Sequence, residues 1–245
     1  MLRKLCQPKA ALMDNLPNYV SPIFIGVSIT VFGFIFYAIY QALRGNKTGM
    51  VVWANVMLVY LFLTGLMTFN GFLKDFESMP PRLVLLVGPV LLLILTLFVL
   101  PKSRAAINRM PITTLTYIHI VRIPVELCLW WLFGAGLVAQ AMTFEGINFD
   151  IIAGITAPFA GVFLVGKKVS NKLGAIIWNI VCLGLVLNIV IRAVALTPYF
   201  YDGSGPELQN LAVFEFPFIW LPTFVVPAVI FSHIASLMQL FKTTK

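Results

Sequence analysis

Seven stretches of this chain, most close to the ~20 residues a helix needs to cross a bilayer, carry almost no charge. They cover 19–43, 50–72, 82–101, 113–142, 149–167, 173–197 and 216–241. A soluble domain holds about 25% charged residues. This chain of 245 residues is 11% charged and 60% hydrophobic. Most of its surface therefore meets lipid, where a helix is the element that satisfies its backbone within one segment. The expected fold is all-α: a single polytopic membrane domain spanning 1–245, with seven transmembrane helices. The first run is longer than a signal-peptide core and reads as a retained span. Prolines predict kinks in the fourth span (Pro124), the fifth (Pro158) and the seventh (Pro222, Pro227), because each leaves a carbonyl one turn earlier without its N–H.

The charges between the spans set an orientation. Arg44 and Lys47 follow the first span, Lys102, Arg104 and Arg109 the third, Lys167, Lys168 and Lys172 the fifth, and Lys242 and Lys245 the seventh. Of basic residues the opposite connections hold only Lys74 and Arg82, both after the second span, while those after the fourth and sixth carry the acidic residues Glu145, Asp150, Asp202, Glu207 and Glu215. The positive-inside rule puts the N-terminus outside and the C-terminus in the cytoplasm, as a multi-pass protein of the plasma (inner) membrane. Arg3, Lys4 and Lys9 oppose that orientation, and four separate segments outweigh one short tail. The net charge of +8 is thus directed at the lipid bilayer and its anionic head groups. Nucleic acid is not an expected partner.

A faint repeat runs through the chain. Gly49-Met-Val-Val-Trp53 opens the second span and Gly174-Ala-Ile-Ile-Trp178 the sixth, in the same direction. This suggests a weak 3+1+3 arrangement, with the fourth span as the linker.

The fourth span carries the residues hardest to place in lipid. His119, Arg122 and Glu126 fall within a sector of about 60° on one helical face. An ionisable side chain in hydrocarbon faces a partner or a cavity, so that face is expected to look inward. Arg122 and Glu126 are spaced i, i+4 and can pair along the helix. His119 and, on the seventh span, His233 sit roughly 8 and 12 Å from the cytoplasmic side, with Asn55 and Asn179 at roughly 6–9 Å. Asn188 and Arg192 share the opposite face of the sixth span and are candidates for an outer-side contact.

Three functions compete on these residues. In the leading one, His119, Arg122, Glu126, Asn179, His233 and Asn55 form a polar site that binds or translocates a small solute or a proton. In the second, His119 and His233 are axial ligands of a haem b in an electron carrier, or hold another metal ion with help from Glu126. In the third, the buried polar residues are structural and the acidic outer loops of a receptor or assembly subunit meet a partner. No nucleophile–base set marks an enzyme. No lysine inside the last span, His-Glu-x-x-His helix, phosphate loop or nucleophile elbow is present. The three cysteines form no Cys-x-x-Cys pair.

Overall fold

The computed structural model describes Met13 and residues 15–166 and 169–242. Arg3, Lys4, Lys9, Lys167, Lys168 and Lys245, which enter the charge count, lie outside the described residues. Among those described there is no strand. Apart from short 3-10 turns, the described residues form eight helices: α1 (Val20–Ala42), α2 (Lys47–Phe69), α3 (Arg82–Val99), α4 (Pro101–Ile107), α5 (Ile112–Gly134), α6 (Asp150–Val165), α7 (Lys172–Ala195) and α8 (Leu221–Phe241). Six of them, α1, α2, α3, α5, α7 and α8, are long and apolar enough to cross a membrane. The fifth apolar run, expected to be a full span, is the shorter α6, a ten-residue α-helix continued by a six-residue π-helix.

Local chemistry sets the helix ends. Asn46 and Asn171 cap α2 and α7 alike, each side chain accepting from the glycine three residues on, Gly49 at 2.9 Å and Gly174 at 2.8 Å. An Asn oxygen at that place satisfies one of the free N–H groups of the first turn. The fourth span, expected to run to residue 142, stops at Gly134. Gly136 takes a left-handed φ of 77° there. Its N–H reaches the Phe133 carbonyl and that of Leu137 the Leu132 carbonyl, the hydrogen-bond pattern of a Schellman stop. The chain beyond folds back into the protein, burying Leu137, Val138, Ala139, Met142 and Thr143. Irregular backbone is tolerated at such a place because protein, not lipid, surrounds it.

Changes of helix type accompany the prolines in two helices. A 3-10 turn, Ile118–Val121, interrupts α5 just ahead of Pro124. A π-helical turn, Leu221–Val225, opens α8 just ahead of Pro227. In each the residue four before the proline has lost its N–H partner, and the ladder shifts register.

Helices α5 and α8 form the centre, each more than half buried, whereas α3 buries no residue at all. Helix α1 packs on the second half of α5, and α7 lies along α8. Helix α6 approaches α5 closely because it offers small residues, Ala153, Gly154, Ala157, Ala160 and Gly161, on the shared face. A Cβ on Gly154 would stand 2.8 Å from Ile123 Cγ1 and 3.0 Å from the Ile123 nitrogen. Charges separate to the two ends of the bundle. One end carries Arg44, Lys47, Lys102, Arg104, Arg109, Lys172 and Lys242 and, among the described residues, no Asp or Glu. At the other, Lys74 pairs with Glu215 and Arg82 with Asp75.

Candidate functional site

A buried polar seam connects α5, α6, α7 and α8. It contains His119, Arg122 and Glu126 of α5, Asn148 and Asp150 at the start of α6, Asn179 of α7 and His233 of α8, none more than 7% exposed. The 3-10 turn contributes to its geometry, because residues i and i+3 eclipse there and bring His119 over Arg122.

Arg122 is the hub. Its Nε donates to Asp150 Oδ2 at 2.7 Å and its Nη2 to Asp150 Oδ1, a two-pronged ion pair. Nη2 also donates to the Cys182 carbonyl at 3.2 Å, and Nη1 lies 3.3 Å from His233 Nε2. Since guanidinium only donates, Nε2 accepts and the His233 proton resides on Nδ1. The far side of the ring agrees: Nδ1 is 2.9 Å from Asn179 Oδ1, while Asn179 Nδ2 is committed to the Ala175 carbonyl at 2.9 Å. His233 is thus held between a fixed donor and a fixed acceptor.

The pairing of Arg122 with Glu126 expected from their spacing is not formed. Glu126 Oε1 instead accepts from Asn148 Nδ2, at 2.5 Å. Asn148 in turn donates to the Met142 carbonyl and accepts from the Asp150 N–H at 3.0 Å. Asp150, counted from sequence among the outer-loop acids, is buried in the first turn of α6, where the positive end of the helix dipole favours a carboxylate. Glu126 Oε2 and both ring nitrogens of His119 are buried without a hydrogen-bond partner.

The two histidines lie together, as a stack. Their rings are 3.7 Å apart between centroids and 15° from parallel, with Trp178 against both. Axial ligands approach iron end-on from opposite faces of the macrocycle. Rings in face-to-face contact leave no gap for one, so these residues do not fit a haem b. Among the described residues no group of three or more His, Cys, Asp or Glu is placed to hold another metal ion. Three other candidate residues stand outside the seam: Asn55, expected in it, and Asn188 and Arg192, expected at an outer-side contact. Asn55 is exposed on α2 and donates to its own helix, to the Val51 carbonyl at 2.8 Å. Asn188 and Arg192 bond to each other at 3.2 Å, and Asn188 also to the Ile147 carbonyl at 3.4 Å.

Sequence reading missed Asn148 and Asp150. Glu126, one turn from Arg122, already offered a carboxylate in sequence, and only the close approach of α6 brings Asp150 within reach.

No curated protein and no solved structure matches the chain. A family model, Domain of unknown function (DUF8737), matches residues 79–241, about two thirds of the chain and the whole of the seam, and the chain belongs to that family.

Proposed function

We propose that this is a multi-pass membrane protein whose buried seam binds a proton and passes it through the helix bundle, with Glu126 and His119 as the groups that exchange it. The observation that carries this reading is a charge count. Arg122 is matched by Asp150, and Glu126 is a second carboxylate with no second cation. One proton on Glu126 makes the seam neutral, and Oε2, without a partner, is where it sits. His119, likewise without hydrogen bonds, stacks on His233 and links the seam toward the basic end of the bundle. A small solute fits less well, because these side chains are packed against one another. A proton needs only a chain of exchangeable groups.

The reading includes an orientation and a plan. Helix α6 serves as a seventh, short span, the N-terminus is outside, and the basic end faces the cytoplasm of the plasma membrane, as the positive-inside rule requires. The matching Asn caps of α2 and α7 favour a 3+1+3 relation between α1–α3 and α6–α8, with α5 between them.

Proteoliposomes loaded with a pH-reporting dye test the function. A potassium-driven potential is expected to move protons through the wild type and not through Glu126→Gln. Infrared spectroscopy gives a second readout: a protonated-carboxyl band absent from Glu126→Gln. Equal flux in the two proteins, with no such band, would overturn the reading.

A further inference from the structure

A cavity lies away from the seam. It measures about 400 Å³, within the ~300–1,000 Å³ of ligand-holding clefts. Helices α1, α2, α3 and α8 wall it, with Ile39, Trp53, Leu93, Leu97 and Phe231 among the contributors. The α3 face that borders it is a single helical stripe, and α3 has no fully buried residue, so this wall stands off from the core. The groove runs from the middle of the bundle, at Tyr60 and Phe224, to the basic end, where Lys102 and Ser103 of α4 complete it.

We propose that this groove holds one acyl chain of an anionic phospholipid, with the lipid phosphate at Lys102 and Ser103. The groove walls are apolar over nearly their whole length and turn polar at the end where a head group belongs. The charge at that end has one sign. Lys74 and Arg82, at the opposite end, are neutralised by acids. Lys102, Arg104, Arg109 and Lys242 have no salt bridge among the described residues. Arg104, Arg109 and Lys242 border an open cleft of about 500 Å³ on the other side of α4. So α4 separates an apolar slot from a cationic surface, the division that an anionic amphiphile carries in its own structure. A zwitterionic lipid would fill the slot and gain nothing from the surplus of positive charge.

The full chain, purified in detergent, is offered phosphatidylglycerol or phosphatidylcholine with identical acyl chains and read by native mass spectrometry. One phosphatidylglycerol per chain is expected to survive activation that strips phosphatidylcholine. Lys102→Gln lowers that retention about fivefold, the worth of one lysine near an anionic surface. Leu93→Trp, which fills the slot, abolishes it. Phosphatidylglycerol brominated on its chains quenches Trp53, an effect read as the difference from Trp53→Phe, and this locates the chain even where Leu93→Trp folds poorly. Equal retention of the two lipids, full retention by Lys102→Gln, quenching unaltered in Trp53→Phe, or a dimer that closes the groove without lipid would each overturn the proposal.

Discussion

Arg122 takes its carboxylate from Asp150, 28 residues along the chain, although Glu126 stands one turn away on its own helix. The choice fixes the start of α6 against α5, and it leaves Glu126 the one acid in the seam without a cation. Removing one member of a buried ion pair costs about 3–5 kcal/mol, because the other charge stays behind. Asp150→Asn is expected to destabilise by roughly that amount. Arg122→Gln should cost more, since Arg122 also serves His233 and the Cys182 carbonyl. The double variant Arg122→Met, Asp150→Leu should recover much of the loss. Unfolding free energies measured by denaturant titration in micelles check this order, and additive losses in the double variant would contradict it.

The His233 proton has a defined position. Arg122 Nη1 faces Nε2 and Asn179 Oδ1 faces Nδ1. Nitrogen NMR of histidine-labelled protein should show the Nδ1–H tautomer for His233. The chain has only two histidines, so His119→Phe completes the assignment. Asn179→Leu should keep the tautomer, because a guanidinium cannot accept a proton from Nε2. Arg122→Gln alone should keep it too, because Asn179 Oδ1 still accepts from Nδ1, and only Arg122→Gln combined with Asn179→Leu should release it. A wild-type spectrum of the Nε2–H form would refute the arrangement.

Seven apolar segments could be read from the sequence because hydropathy is a property of each run by itself. The inward stripe of His119, Arg122 and Glu126 could be read for a similar reason: helical period depends on spacing alone. The partner of Arg122 could not. It depends on how near α6 approaches, which its glycines and alanines decide, and Asp150 looks in sequence like one more loop acid. Span lengths went astray where a single residue decides, as at Gly136, whose left-handed backbone ends α5 eight residues before its hydropathy fades. Asn55 shares the depth expected of a seam residue, but depth says nothing about azimuth, and α2 turns it outward. The twin caps Asn46 and Asn171 stand three residues before the repeated glycines, just outside the apolar pattern that revealed the repeat.

Gly154 tests whether close packing holds the seam together. Its missing side chain leaves room for Ile123, including the backbone nitrogen, which cannot step aside as a side-chain tip can. Gly154→Ala should force α6 away from α5 at a cost of about 1–3 kcal/mol, the usual penalty of overpacking. Gly26→Ala, on α1 where a Cβ meets nothing within 4 Å, is the control and should be close to neutral. Thermal unfolding in detergent compares them, and equal midpoints would mean that the α5–α6 contact is not tight.

Glu126 and Asn148 separate architecture from chemistry. Glu126→Gln keeps an oxygen to accept from Asn148 Nδ2 and exchanges one neutral group for another, so it should alter stability by no more than about 1 kcal/mol. Asn148→Ala removes the partner of Glu126 Oε1, of the Met142 carbonyl and of the Asp150 N–H together. Each buried group left unpaired costs about 1–3 kcal/mol, so this variant should be markedly unstable. The pair of variants gives the flux experiment its meaning. A Glu126→Gln protein that unfolds like the wild type yet carries no protons has lost a proton site and not a fold. A Glu126→Gln protein as unstable as Asn148→Ala would make Glu126 a structural residue, and the proposed proton route would lose its support.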